Sequence, residues 1–156
     1  MGDVDGDGTG EIEMSTGPGF DSSVAASELQ DRIRDTIQQE PVVAFIKGTH
    51  EQAFCGNSER AMQALRDVGA GFATVDVLPD PRIREELSAL SDWPTIPQVF
   101  VAGELVGGAD IVQELAVTGQ LEATLEEKLG ESWRRPGDER TVSVTDGPGL
   151  RVVPGV

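Results

Sequence analysis

Two short apolar runs with a helical segment between them constrain this chain most. Val42-Val43-Ala44-Phe45-Ile46 is continuous, and its length and β-branched content predict a buried strand. Residues 72–77 predict a second strand. Between them, Ala61, Met62, Leu65 and Val68 line one helix face, and Gly69 and Gly71 end that helix. Strand, helix, strand gives a parallel pair. Upstream, Ala25, Leu29, Ile33 and Ile37 recur every fourth residue, predicting an amphipathic helix that stops before Pro41. Downstream, Ile83, Leu87 and Leu90 predict a helix beyond Pro81, a residue suited to a first helical turn. Val99-Phe100-Val101 and Glu104-Leu105-Val106 flank Ala102-Gly103, a two-residue hairpin signal. A last helical region carries Ile111, Leu115, Leu121, Leu125 and Leu129, with a break at Gly119.

The order α-β-α-β-α-β-β-α predicts an α/β fold of thioredoxin type: a central four-stranded mixed sheet flanked by helices, with the hairpin as an antiparallel edge. With 156 residues the chain suits one domain, over 25–130, with tails. Residues 1–24 have almost no large apolar side chains and read as a disordered acidic leader. Asp3, Asp5, Asp7, Gly8 and Glu11 follow an EF-hand loop, but Met14 falls where the bidentate carboxylate is required, so calcium is not expected. Residues 131–156 read as a tail in which 141–144 and 150–153 pair as a short hairpin.

Net charge is −16, from 28 acidic and 12 basic residues. That argues against nucleic acid and anionic membranes as partners, since both need a basic footprint. Dispersed acid with only two lysines, Lys47 and Lys128, resembles proteins of a salt-rich cytoplasm. No apolar run approaches the roughly 18 residues of a membrane helix. The acidic start does not read as a signal peptide. A single cysteine rules out a disulfide framework and fits a reducing compartment. The expectation is a soluble, cytoplasmic protein of a salt-adapted organism.

That cysteine, Cys55, opens the segment Cys55-Gly56-Asn57-Ser58, a C-x-x-C pattern whose second thiol is a hydroxyl. No intramolecular disulfide is possible. A cysteine placed just before a helix feels unpaired N–H groups and the positive end of the dipole, and both favour the thiolate. Lys47 adds a nearby charge, and Ser58 is either a capping hydroxyl or a donor to sulfur. Two further signals are Trp93-Pro94-Thr95-Ile96-Pro97, with an X-Pro bond able to be cis, and Gly107-Gly108-Ala109-Asp110. The latter is a turn into a helix with Asp110 as its expected N-cap and free N–H groups able to receive a carboxylate.

These segments, with Lys47-Gly48-Thr49, resemble the monothiol glutaredoxins in order and spacing over about residues 28–129. The resemblance implies a thioredoxin-like fold, bound glutathione or a related thiol, and a [2Fe-2S] cluster shared by a homodimer and passed to iron-sulfur acceptor proteins. It implies that Cys55 is the catalytic thiol and ligates iron. Lys47 and Arg84 would meet the glycyl carboxylate of glutathione. Thr95 and Ile96 would pair with its cysteinyl part beside a cis Pro97, and Ala109 and Asp110 would hold its γ-glutamyl end. The chain departs from the family's CGFS motif at Asn57, and has Ala109 where the family often has cysteine. The competing activity is reduction of protein-glutathione mixed disulfides through Cys55; a third is a thiol-binding adaptor with neither activity.

Overall fold

The computed structural model describes residues 25–145. Helix α1 (Ala26–Gln39) leads into strand β1 (Val42–Ile46), then α2 (Gly56–Asp67), β2 (Phe72–Asp76), α3 (Pro81–Ser91), β3 (Gln98–Val101) and β4 (Glu104–Gly107). Helices α4 (Ala109–Thr118) and α5 (Gln120–Leu129) follow, then a 3-10 turn (Gly130–Trp133) and a short strand β5 (Glu139–Thr141).

The sheet order is β4-β3-β1-β2-β5. β1 and β2 are parallel, while β3 runs antiparallel to both β1 and β4. All five residues of β1 are buried because helices cover both sheet faces. Alternation along the strand divides them. Val42, Ala44 and Ile46 pack with Met62, Leu65, Val112, Leu121 and Leu125 from α2, α4 and α5. Val43 and Phe45 pack on the other face with Leu29, Ile33, Ile83 and Leu87 from α1 and α3. Phe45 meets Phe100 edge to face, with ring centroids 5.7 Å apart. Each such large side chain contributes roughly 1.5–3 kcal/mol by leaving water.

Local signals place the element ends. Asp80 caps α3 by accepting from the Arg82 N–H at 3.0 Å, and Pro81 opens the helix. The β3–β4 turn puts both Ala102 and Gly103 at positive φ, as a twisted two-residue hairpin requires. Gly119, at φ 84°, separates α4 from α5.

Three sequence expectations change. Among the described residues the sheet has five strands, not four: β5 adds in parallel to the outer side of β2, pairing Phe72 with Glu139 and Thr74 with Thr141. The packed fold therefore runs on past residue 130. Trp133 is 2% exposed within the α2–α4–α5 cluster, and Val142 and Val144 are buried against β2 and α1. Thr141 thus pairs with β2; the expected partner segment 150–153 lies outside the described residues, as does the leader 1–24 with its EF-hand-like run. Finally, Ile111 does not join the core. It is 40% exposed, and Ala109 and Val112 turn inward in its place.

Candidate functional site

The site gathers at one end of the sheet, where β1, β2 and β4 finish and β3 begins. Beyond Ile46 the chain folds back on itself. The Phe54 N–H donates to the Lys47 carbonyl at 2.8 Å, and Thr49 and Gln52 exchange backbone hydrogen bonds. Gly48 sits at φ +119°, and a side chain there would lie 2.9 Å from the Ala53 Cα, so only glycine closes this loop. The Gly48 N–H donates to the Asp76 carboxylate at 2.9 Å, which ties the loop to the end of β2.

The loop delivers Cys55 as the N-cap residue of α2, in extended conformation and half-buried. Its thiol is more acidic than an ordinary cysteine. The Ser58 backbone N–H is the main cause; partial burial opposes it, and the Asn57 N–H, the Ser58 hydroxyl and the Lys47 charge add to it. Ser58 is fully buried. Its Oγ accepts from the Lys47 N–H at 3.1 Å and its proton serves the sulfur, so Ser58 is the sulfur donor and not the helix cap.

A second wall comes from residues 93–97. The Ile96–Pro97 bond is cis. Gln98, fully buried at the start of β3, donates through Nε2 to the carbonyls of Trp93 at 2.9 Å and Thr95 at 3.1 Å. One side chain thus ties down the proline segment. The third wall is the turn out of β4. Gly107 is at φ +150°, and a side chain there would lie 2.9 Å from Ile111. Gly108, not Asp110, is the N-cap of α4. Asp110 is the second helical residue, where its carboxylate still favours the helix start.

Two cavities are lined by residues of these three walls. One, of about 280 Å³, is lined by Thr95, Ile96, Pro97, Ala109 and Asp110 together with Asn57, Trp93, Gly108 and Ile111. The other, of about 630 Å³, is lined by Lys47, Arg84, Leu78, Pro94 and neighbours. In the chain, Cys55 lies between Lys47, on one cavity, and Asn57, on the other. All eight residues singled out from the sequence are therefore at or beside this end of the sheet, with Arg84 on the exposed side of α3.

Sequence reasoning missed Arg60. It lies one helical turn beyond Asn57, and its guanidinium donates to Asn57 Oδ1 at 2.8 Å and to Asp110 Oδ1 at 2.6 Å. It also donates to Gln113 Oε1, at 3.2 Å from Nε and 2.6 Å from NH2. The i, i+3 spacing to Asn57 is visible in the sequence; the pairing across to α4 is not. Also missed was the link from the C-terminal strand to the Cys55 loop. His50 Nδ1 lies 2.9 Å from Thr141 Oγ1. Arg66 bonds the His50 carbonyl at 2.8 Å and both Glu139 oxygens at 2.9 Å.

Chemically, the site presents an acidified, accessible thiol with no second thiol to resolve an adduct. It can take a small-molecule thiol in mixed disulfide or a soft metal. Among the described residues no group of three or more His, Cys, Asp or Glu could hold a metal ion. Among them, too, no helix is long and apolar enough to cross a membrane.

Comparison with known proteins agrees with this geometry. The Glutaredoxin family model matches residues 42–106. The probable monothiol glutaredoxin 2 of Rickettsia typhi is 45% identical over 62% of this chain and 86% of its own length. The solution structure of a monomeric truncated mutant of Trypanosoma brucei 1-C-Grx1 superposes with a TM-score of 0.59 at 41% identity, covering 64% of this chain and 90% of that one. The crystal structure of a buckwheat glutaredoxin-glutathione complex gives 0.58 at 25% identity, covering 65% and 91%. Several longer curated relatives match over only 20–31% of their length. A lone thiol at a helix start, set between the cis-proline segment and the Gly-Gly turn and matched at this identity, establishes that the chain belongs to the monothiol glutaredoxin family.

Proposed function

We propose that this protein carries a [2Fe-2S] cluster, held between two protomers with two molecules of glutathione or a related thiol, and delivers it to acceptor proteins. The observation that carries this reading is Cys55 itself: one acidified, half-exposed thiol with no resolving partner. Such a cluster takes four ligands, normally thiolates. One protomer supplies one, so a pair of protomers and two small thiols complete the set. The cluster is cargo here, and the groove is where the thiol binds. On this reading Lys47 and Arg84 take the glycyl carboxylate. Thr95 and Ile96 present backbone to the cysteinyl unit beside Pro97, and the turn at Ala109 and Asp110 takes the γ-glutamyl end. A lone acidic thiol works best in a reducing compartment, which favours the cytoplasm, and the dispersed acid of the chain favours a salt-adapted one.

Anaerobic reconstitution with iron, sulfide and glutathione is expected to give a cluster absorption spectrum and a dimer by sedimentation. Cys55→Ser should give neither. If wild type and Cys55→Ser behave alike, the reading fails.

A second reading is glutathione-dependent reduction of protein mixed disulfides. Asn57 favours it: it is exposed and polar where the resembled motif has an apolar side chain, which suits a shared cluster less. Turnover of a glutathionylated protein with no cluster formed would select this reading over the first.

A further inference from the structure

We infer that Arg66 is a positioning residue for the site: its guanidinium locks the Cys55 loop to helix α2 and to strand β5, and so holds Lys47 against the thiol. The inference rests on the thiol-binding reading of Lys47 and Cys55 above. The Glutaredoxin family model ends at residue 106, so β5 lies beyond it.

The loop over 47–54 is closed at its base, where the Phe54 N–H meets the Lys47 carbonyl and the Gly48 N–H meets Asp76. At its far end, the bonds between Thr49 and Gln52 are internal to the loop and do not fix where it lies. Arg66 does that. Its NH2 donates to the His50 carbonyl at 2.8 Å, and its NH1 reaches Glu59, seven residues back along α2, at 3.4 Å. Nε and NH2 also hold the two carboxylate oxygens of Glu139, each at 2.9 Å. Four of the five guanidinium N–H donors are thus engaged, in a planar fork that a lysine does not possess.

The register of β5 makes this possible. Glu139 and Thr141 pair with Phe72 and Thr74, and alternation puts them on one face of the sheet. There Glu139 meets Arg66, and Thr141 Oγ1 lies 2.9 Å from His50 Nδ1. Arg140, between them, pairs with Glu40 instead. The Arg66–Glu139 pair is partly buried, at 27% and 17% side-chain exposure, and bidentate, a geometry that fixes direction as well as distance. Among the described residues Lys47 is the charged side chain that acts directly on the Cys55 thiol. Arg66 therefore works through the loop.

The test reads Lys47 from the thiol. At one pH and ionic strength, the Cys55 thiolate displaces iodide from iodoacetate, an anion, or from neutral iodoacetamide, and a thioether forms. The ratio of the two rates, followed by mass spectrometry, cancels the thiolate fraction and the intrinsic reactivity of Cys55. Lys47→Gln sets the scale and should lower the ratio by about threefold to tenfold, as for one nearby charge removed. Arg66→Gln and Glu139→Gln should each lower it by about twofold to threefold, and the double variant by no more than either alone, because the pair acts as a unit. Direct charge effects would move the ratio in opposite directions, since one variant removes a positive charge and the other a negative one. Arg66→Lys keeps the charge without the fork and should behave like Arg66→Gln. Trp133→Ala separates positioning from loosening: it weakens the fold more but leaves the Arg66 bonds in place, so its ratio should stay at the wild-type value. Amide exchange makes the same separation. The Gln52 and Phe54 N–H groups should exchange faster in Arg66→Gln by a larger factor than those of β1. A ratio that moves in opposite directions in Arg66→Gln and Glu139→Gln, or in neither, overturns the inference and leaves the thiol-binding reading intact. So does a Trp133→Ala ratio lowered as far as theirs. A ratio unmoved by Lys47→Gln takes Lys47 away from the thiol and overturns both.

Discussion

The two flanks of Cys55 are built by different means. On the first, residues 93–110 carry a cis proline, a twisted hairpin and a glycine turn, each set by local backbone chemistry. Its key tertiary clamp is Gln98, which holds two carbonyls of its own neighbourhood. On the second, residues 131–145 carry only one such signal, the Pro136-Gly137 turn with Gly137 at φ 85°. Strand β5 is three residues long and none of them is fully buried. It is held by what it meets: Trp133 in the core, Arg66 on Glu139, and Arg140 on Glu40 and Asp138. The contrast suggests a division of labour: the first flank shapes the groove, and the second supports the fold and the Cys55 loop.

Trp133→Ala should break the second flank most severely. The side chain is nearly fully buried and its indole N–H donates to Glu126 at 2.9 Å. A loss of about 3–5 kcal/mol in chemical denaturation is expected, as for other buried aromatics. The folded fraction should still react with glutathione disulfide at close to the wild-type rate. A cost below about 1 kcal/mol, the scale of an ordinary surface substitution, would place these residues outside the core.

Gln98→Leu tests the first flank. It keeps the volume and removes the donor, leaving the carbonyls of Trp93 and Thr95 unpaired. The expected cost is smaller, about 1–3 kcal/mol, yet the reaction with glutathione disulfide should slow. If that rate is unchanged while Trp133→Ala lowers it, the assignment of roles to the two flanks is reversed.

The smallest effect lies between the flanks. The Cys55 thiol is held below the ordinary cysteine value, chiefly by the Ser58 N–H. Its thiolate therefore persists as pH falls through the ordinary thiol range and disappears only below it. Ser58→Ala keeps the backbone N–H and removes the hydroxyl, so the midpoint of iodoacetamide alkylation should rise only part of the way back. Stability should fall by about 1 kcal/mol, because the partly buried Lys47 N–H loses its acceptor. A midpoint that does not move would deny Ser58 its place as donor to sulfur.

Much of this molecule was readable residue by residue. The run of residues 42–46, the helix faces at Leu29, Ile33, Met62 and Leu65, Pro81 behind Asp80, and the Ala102-Gly103 turn all act through periodicity or local conformation. A linear chain displays both. The thiol's position, the proline segment and the glycine turn were legible for the same reason. What packing decided was which of these local pieces meet. Glu-Arg-Thr at 139–141 has no strand pattern and becomes one only because β2 offers an unpaired edge. Ile111 was expected inside by spacing and lies outside because Ala109 and Val112 face the core. The cap of α4 fell to Gly108, two residues before the expected Asp110, and that shift left the Asp110 carboxylate free to find Arg60 on another helix. Periodicity reports a residue's own element; an ion pair fifty positions apart in the chain exists only once two helices have docked.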